Sequence, residues 1–123
     1  MVLVQTGLDT TEGFALNFFD TYGYMAVGSG VNSFSPGQTT LITEQVRNLL
    51  ESATKNTGAG TYTFVVLLGL SEGNGFTLTE VGLFDAASSG NMSTRNILPV
   101  SVVKTSDFKL RITLTVTVTA VNV

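Results

Sequence analysis

The stretch FKLRITLTVTVT, residues 108–119, alternates apolar and polar side chains without interruption. Its apolar positions run from Phe108 to Val118, and the alternate positions, from Lys109 to Thr119, hold two cations followed by four threonines. A period of two is typical of a β-strand with one buried face. At about 3.3 Å per residue the stretch would be roughly 40 Å long, well beyond a usual strand. We therefore predict a long C-terminal strand that forms the spine of a sheet or pairs between subunits.

Upstream of this strand, most of the chain also favours β-structure. The segments typical of strands are 22–27, 61–68, 76–84 and 97–103. Residues 61–68 end in a continuous apolar run, which predicts a central strand buried on both faces. Pro99 predicts an edge position or a bulge, because proline cannot donate a hydrogen bond to a neighbouring strand.

One segment changes period and predicts a helix at about residues 41–54. Its apolar residues lie on a single helical stripe, at Ile42, Val46, Leu49, Leu50 and Ala53. Together these patterns predict a mainly β fold, an antiparallel β-sandwich-like single domain over residues 1–123 with this one α-helix. Residues 1–23 form a possible N-terminal arm or edge strand.

The composition excludes several classes of chemistry. The chain has no Cys and no His, so it can form no disulfide, zinc–thiolate site or histidine-dependent triad. We predict no catalytic residue, cofactor or metal. A net charge of −3 argues against nucleic acid as a partner, and no apolar run approaches the ~20 residues of a membrane span. Charged residues make up only 12% of the chain, which favours extensive burial of apolar surface.

Two carboxylates, Glu80 and Asp85, could be imagined as the pair of a glycoside hydrolase. A spacing of five on a strand places them on opposite faces, which favours structural roles. Alternation puts Glu80 on one face with Leu78, Gly82 and Phe84, where a carboxylate needs a partner. We expect Glu80 to pair with a cation on a neighbouring strand and Asp85 to organise the turn that follows it.

Three motifs follow one another along the chain: YMAVGSG at 24–30, LITEQVR at 41–47 and TEVGLFD at 79–85, the last continued by Gly90-Asn91-Met92 and Arg95. This ordered set resembles the N-terminal, particle-proximal domains of tail-fibre and collar-type proteins of tailed bacteriophages. The resemblance spans residues 24–119. The residues that it implies for the structural motif are Gly28, Gly30, Glu80, Gly82, Phe84, Asp85 and Arg95.

The resemblance implies a non-enzymatic virion structural protein that assembles as a homo-oligomer in the tail, collar or fibre-attachment apparatus. Its partners would be further copies of itself and other virion proteins of the tail, collar, baseplate or capsid. The candidate assembly contacts lie in the N-terminal arm and the C-terminal strand, at Phe18, Phe19, Lys109, Arg111, Thr113, Thr115 and Thr117.

Two other functions are also compatible with the sequence. One is a decoration protein on the capsid. The other is a carbohydrate- or receptor-binding module at the particle tip, with a stacking surface built from aromatic side chains. The aromatic residues available for it are Phe18, Phe19, Tyr22, Tyr24 and Phe34.

Overall fold

The structure is a computed structural model, and it describes residues 22–33, 35–56 and 60–117. Seven strands hold just over half of these residues. They are β1 (Tyr24–Gly28), β2 (Glu44–Leu49), β3 (Ser52–Asn56), β4 (Thr61–Leu68), β5 (Thr77–Phe84), β6 (Met92–Val103) and β7 (Leu110–Thr117). The predicted mainly β fold is therefore confirmed.

The strands form two antiparallel sheets. One sheet has four strands in the order β2-β1-β5-β6, and the other has three in the order β3-β4-β7. The chain moves from the first sheet to the second between β2 and β3, through Leu50 and Glu51. β2 and β3 each lie at the edge of their sheet among the described strands, and only these two residues join them.

The main core takes side chains from both sheets. The three-stranded sheet contributes alternate residues of β4, including Phe64, Val66 and Leu68, each without exposed surface. The four-stranded sheet contributes residues such as Met25 from β1 and Leu83 from β5. The faces that meet in this core are called the inner faces below, and the opposite faces the outer faces. Alternation along β4 buries only the inner residues, so the predicted burial of 61–68 on both faces is wrong.

The predicted helix at 41–54 is also wrong, because this segment holds β2 and β3. β2 pairs with β1, and β3 pairs with β4. Hydrogen bonding to those neighbours overrides a local helical preference, which is only a weak determinant of structure. The apolar stripe does not stay together: Ile42 and Leu49 are exposed, whereas Val46 packs against the core. No helix occurs in the ranges that the structure describes, and so none that could cross a membrane.

The C-terminal strand is confirmed over residues 110–117, with the predicted alternation of exposed and buried positions. It begins at Leu110, opposite Leu68 at the end of its partner β4, so the predicted start at Phe108 is wrong. Among the described strands β7 lies at the edge of its sheet, so these strands do not make it a spine, and pairing between subunits stays a prediction. Residues 118–119 lie outside the described ranges.

The register between β5 and β6 is irregular near Pro99. Leu78 pairs with Val102 and Glu80 with Ile97, so β6 contains extra residues between these two pairs. Among the described strands β6 is also an edge strand, in agreement with both alternatives predicted for Pro99. The irregularity interrupts the alternation of β5, and Leu78 joins the main core instead of lying on the face of Glu80.

Candidate functional site

Glu80 lies on the outer face of the four-stranded sheet and has no exposed surface. Its Oε1 accepts hydrogen bonds from the Ile42 amide at 2.9 Å and the Arg95 Nε at 2.8 Å. Its Oε2 accepts from the amides of Gly30 at 2.7 Å and Thr43 at 2.9 Å. We call these five residues the Glu80 clamp. The clamp fixes both ends of the β1–β2 connection (described residues 29–33 and 35–43) to the sheet.

Arg95 completes the clamp from the neighbouring strand β6. The Arg95 and Glu80 side chains form an ion pair in which both are fully buried. Arg95 also donates from Nη2 to the carbonyl of Asn32 at 2.8 Å and from Nη1 to the side chain of Gln38 at 3.4 Å. The guanidinium therefore holds the middle of the β1–β2 connection, while the carboxylate holds its ends.

The surroundings of Glu80 keep its carboxylate ionised. Burial by itself raises the pKa, because it penalises the charged form. The hydrogen bonds from Arg95 and from the amides of Thr43, Ile42 and Gly30 outweigh burial and lower the pKa below its ordinary value. All four acceptor positions are occupied by protein donors, so the carboxylate is satisfied as an anion.

Two glycines of β1 and its following turn make room for the carboxylate. A Cβ on Gly30 would overlap with Glu80 Oε2 and with the Ile42 side chain. A Cβ on Gly28 would lie 2.6 Å from the same oxygen and overlap with the Thr43 carbonyl. Neither glycine needs a left-handed backbone, so the requirement here is for space. The motif positions Gly28 and Gly30 are thus explained by Glu80.

A small apolar cluster lies beside the clamp on the same face. It contains Ala26, Leu41 and Phe84, all buried. A Cβ on Gly82 would lie 2.9 Å from the Thr94 carbonyl and 3.0 Å from Leu41 Cδ2, so this glycine allows Leu41 to approach the sheet. Leu41 belongs to the β1–β2 connection and adds an apolar contact to the polar ones of the clamp.

Arg47 of β2 covers the ring of Phe84. Its guanidinium carbon lies 3.6 Å from the ring centroid, a cation–π contact. It also donates to the carbonyls of Ala86 at 3.0 Å and Ser89 at 2.7 Å, and it forms an ion pair with Glu44. Arg47 therefore connects the apolar cluster with the turn that follows β5.

Asp85 organises that turn, as the sequence predicts. Its Oδ1 accepts from the Asn91 amide at 2.6 Å and its Oδ2 from the Asn91 side chain at 3.0 Å. These hydrogen bonds, the backbone one first, lower the pKa of Asp85. Ser89 and Gly90 adopt positive φ angles of 54° and 73°, which close the turn. Asp85 and Glu80 thus have separate sets of structural partners.

The motif residues that lie far apart in the sequence meet in space. Five of them belong to the clamp or lie against it or the adjacent cluster: Gly28, Gly30, Glu80, Gly82 and Arg95. The cation that the sequence predicts for Glu80 is Arg95. Phe84 lies in the cluster and Asp85 in the turn beyond it.

The candidate assembly residues lie elsewhere. Thr113, Thr115 and Thr117 are exposed on the outer face of β7, and Lys109 is exposed just before it. Arg111, on the same face, forms a bidentate ion pair with Glu51 at 2.7 and 2.8 Å. Phe18 and Phe19 fall outside the described residues, as does Phe34.

Lys104 is a buried cation that the sequence does not reveal. It has no exposed surface, and its Nζ donates to Asn74 Oδ1 at 2.9 Å and to the Thr105 carbonyl at 2.8 Å. The ring of Phe108 lies 5.3 Å away. Lys104 thus ties the β4–β5 turn to the β6–β7 turn. A lysine at the end of a strand is ordinarily exposed, so nothing in the sequence pattern predicts that Lys104 is buried.

A shallow cavity of about 310 Å³ lies along β6, lined by Ser93, Thr94, Arg95 and Asn96. The hydroxyls of Ser93 and Thr94 are buried without a hydrogen-bond partner, and the Arg95 guanidinium is occupied by the clamp. Within the described ranges, no cluster of acidic side chains could hold a metal ion.

Comparison of the chain with models of protein families and with curated proteins found no match.

Proposed function

We propose that the chain is a non-enzymatic structural protein of a tailed-phage virion. It has a β-sandwich-type domain and assembles as a homo-oligomer in the tail, collar or fibre-attachment apparatus. The observation that carries the proposal is the Glu80 clamp, in which residues from all three ordered motifs contact one another. The resemblance to particle-proximal phage domains supplies the biological setting.

The clamp supports this resemblance because it makes the three motifs physically dependent on one another. The glycines of the first motif leave space for Glu80 of the third. The second motif supplies amide donors to the same carboxylate, together with Leu41 and Arg47 for the adjacent cluster. Short motifs match by chance one at a time, whereas a set that forms one contact network has a common structural cause.

The chemistry of the clamp favours a structural role. Glu80 and Arg95 are buried, and each is hydrogen-bonded to the β1–β2 connection. A carboxylate that accepts four hydrogen bonds from protein donors has no free position for a substrate. Its effect is to fix a connection on the surface of a sheet, which suits the presentation of a rigid surface to a partner.

The exposed surface supports assembly. The outer face of β7 carries exposed threonines, whose burial between subunits carries no charge-desolvation cost. Uncharged side chains of this kind can be buried against another protein at lower cost than charged ones.

The test is to look for the chain in purified particles of the virus that encodes it. Mass spectrometry should find it at a fixed number of copies per particle, and labelled antibody should decorate the tail or collar. Decoration confined to the capsid would contradict the tail position and favour the decoration alternative. Presence in infected cells together with absence from the particles would contradict the whole proposal.

A further inference from the structure

The two sheets have four edge strands among the strands described, and three of them carry features that oppose pairing with another chain. β6 contains Pro99 and an irregular register. β3 has only five residues and includes Lys55. β2 includes Glu44 and Arg47, and its register with β1 shifts near Gly28. Proline, charge, bulges and short length are the usual protections of edge strands.

β7 lacks these protections. Its eight residues pair with β4 in one unbroken register, from Leu110 opposite Leu68 to Thr117 opposite Thr61. It contains no proline, and its one charged residue is Arg111, whose guanidinium is already paired with Glu51. Such an edge is a template for another strand.

The two faces of β7 define the strand that would fit beside it. The outer face carries exposed threonines, and the inner face carries Ile112 and Leu114, each 8% exposed, with Val116 half-buried. A matching strand must present threonine-like residues outward and aliphatic residues inward. β7 of a second copy meets both requirements, and antiparallel pairing of two identical strands closes about a two-fold axis.

We propose that β7 pairs antiparallel with β7 of a second copy, with the axis at Leu114, joining two three-stranded sheets into one. Residues that face each other across an antiparallel pair lie on the same side of the sheet. This register places Thr113 opposite Thr115 of the second copy and Arg111 opposite Thr117, so no like charges face each other. The proposal rests on the proposed assembly function and specifies the contact through which that assembly forms.

The test is sedimentation velocity of the full chain over a range of concentrations. Thr113→Lys/Thr115→Lys would place ammonium groups opposite each other twice, and should weaken dimerisation roughly tenfold or more. Thr113→Lys/Thr115→Glu would place an ammonium opposite a carboxylate twice, and should retain the dimer. Thr54→Lys, on the exposed edge strand β3 of the same sheet, is the matched control and should leave dimerisation unchanged.

Circular dichroism of each variant checks the fold, which should be retained because these threonines are exposed. A wild-type chain that stays monomeric at every concentration would overturn the pairing. So would unchanged dimerisation of the Lys/Lys variant, or loss of the dimer in the Lys/Glu variant. These outcomes are separate from the particle test: a chain present in virions without this dimer contradicts the pairing alone, and a dimer absent from virions contradicts the virion function alone.

Discussion

Two arginine–glutamate pairs in this chain have nearly the same shortest nitrogen–oxygen distance and opposite surroundings. Arg95 and Glu80 meet at 2.8 Å with both side chains fully buried. Arg111 and Glu51 meet at 2.7 Å, with 59% and 35% of their side-chain surfaces exposed. The first pair joins the β1–β2 connection to a sheet, whereas the second joins two strand ends on the opposite outer face.

The comparison shows that distance alone does not determine what an ion pair contributes to stability. At the exposed pair, water competes for both partners and salt screens their charges. At the buried pair, removing one partner leaves a desolvated charge without compensation. Three backbone amides also depend on Glu80 as their acceptor. The buried pair is therefore one part of a network, and the exposed pair stands nearly alone.

The largest effect is expected for Glu80→Gln. The substitution leaves Arg95 buried without a counter-charge and turns an amide NH₂ toward backbone donors. We expect the free energy of unfolding to fall by about 3–5 kcal/mol, measured by urea denaturation. Glu51→Gln is the matched control and should leave the denaturation midpoint almost unchanged. Equal losses in the two variants would contradict the role assigned to burial.

A smaller loss is expected for Gly30→Ala, which adds a methyl group where Glu80 Oε2 and Ile42 already lie. Overpacking of this kind costs about 1–3 kcal/mol. Gly37→Ala is the control, because a Cβ at Gly37 meets nothing within 4 Å. The two midpoints in urea should differ clearly. An unchanged urea midpoint for Gly30→Ala would show that the clamp residues can shift. The close approach of Gly30 to Glu80 would then not be required for stability.

The pH dependence provides a third test of the comparison. The pKa of Glu80 is lowered in the folded chain, so its contribution is fully present above the pKa of the unfolded carboxyl, about 4.3. The contribution is lost as the pH falls through the lower folded pKa. Wild type should therefore lose stability more steeply than Glu80→Gln below pH about 4, by at most about 1.4 kcal/mol per pH unit. If the free energies of unfolding of wild type and Glu80→Gln fell in parallel as the pH is lowered, the acid sensitivity would arise from other carboxyls.

The smallest effect is expected for Arg111→Gln. The exposed ion pair lowers the pKa of Glu51 through the Arg111 hydrogen bond, yet both groups remain in contact with water. We expect a barely measurable change in thermal midpoint, which disappears in 1 M salt, where the screening length is about 3 Å. A large and salt-resistant change would place this pair in the same class as the buried one.

The sequence predicts the strands well where one face is buried. β7 follows its alternation, whereas β4 is a strand as predicted but is buried on its inner face only. It fails at 41–54, because the apolar spacing there suits a helix while the backbone pairs with β1 and β4. The partners of β2 in β1 lie 16 to 25 residues earlier in the chain, and a local period carries no information about them.

The clamp was only partly predictable. An acidic residue within an apolar strand indicates a buried partner, and Arg95 fulfils that expectation. The three amide donors could not be foreseen, because they depend on the path of the β1–β2 connection over the sheet. Lys104 shows the same limit, since its acceptors lie in a turn 30 residues earlier and in the next residue.

The sequence separations within the clamp also bear on the order of folding. Glu80 accepts from amides 50, 38 and 37 residues away. Contacts between distant residues require long loops to close first, so they form late. We expect the clamp to be absent from the folding transition state. Variants at Glu80 should then unfold faster while folding at nearly the wild-type rate, so the carboxylate acts chiefly on the lifetime of the native state.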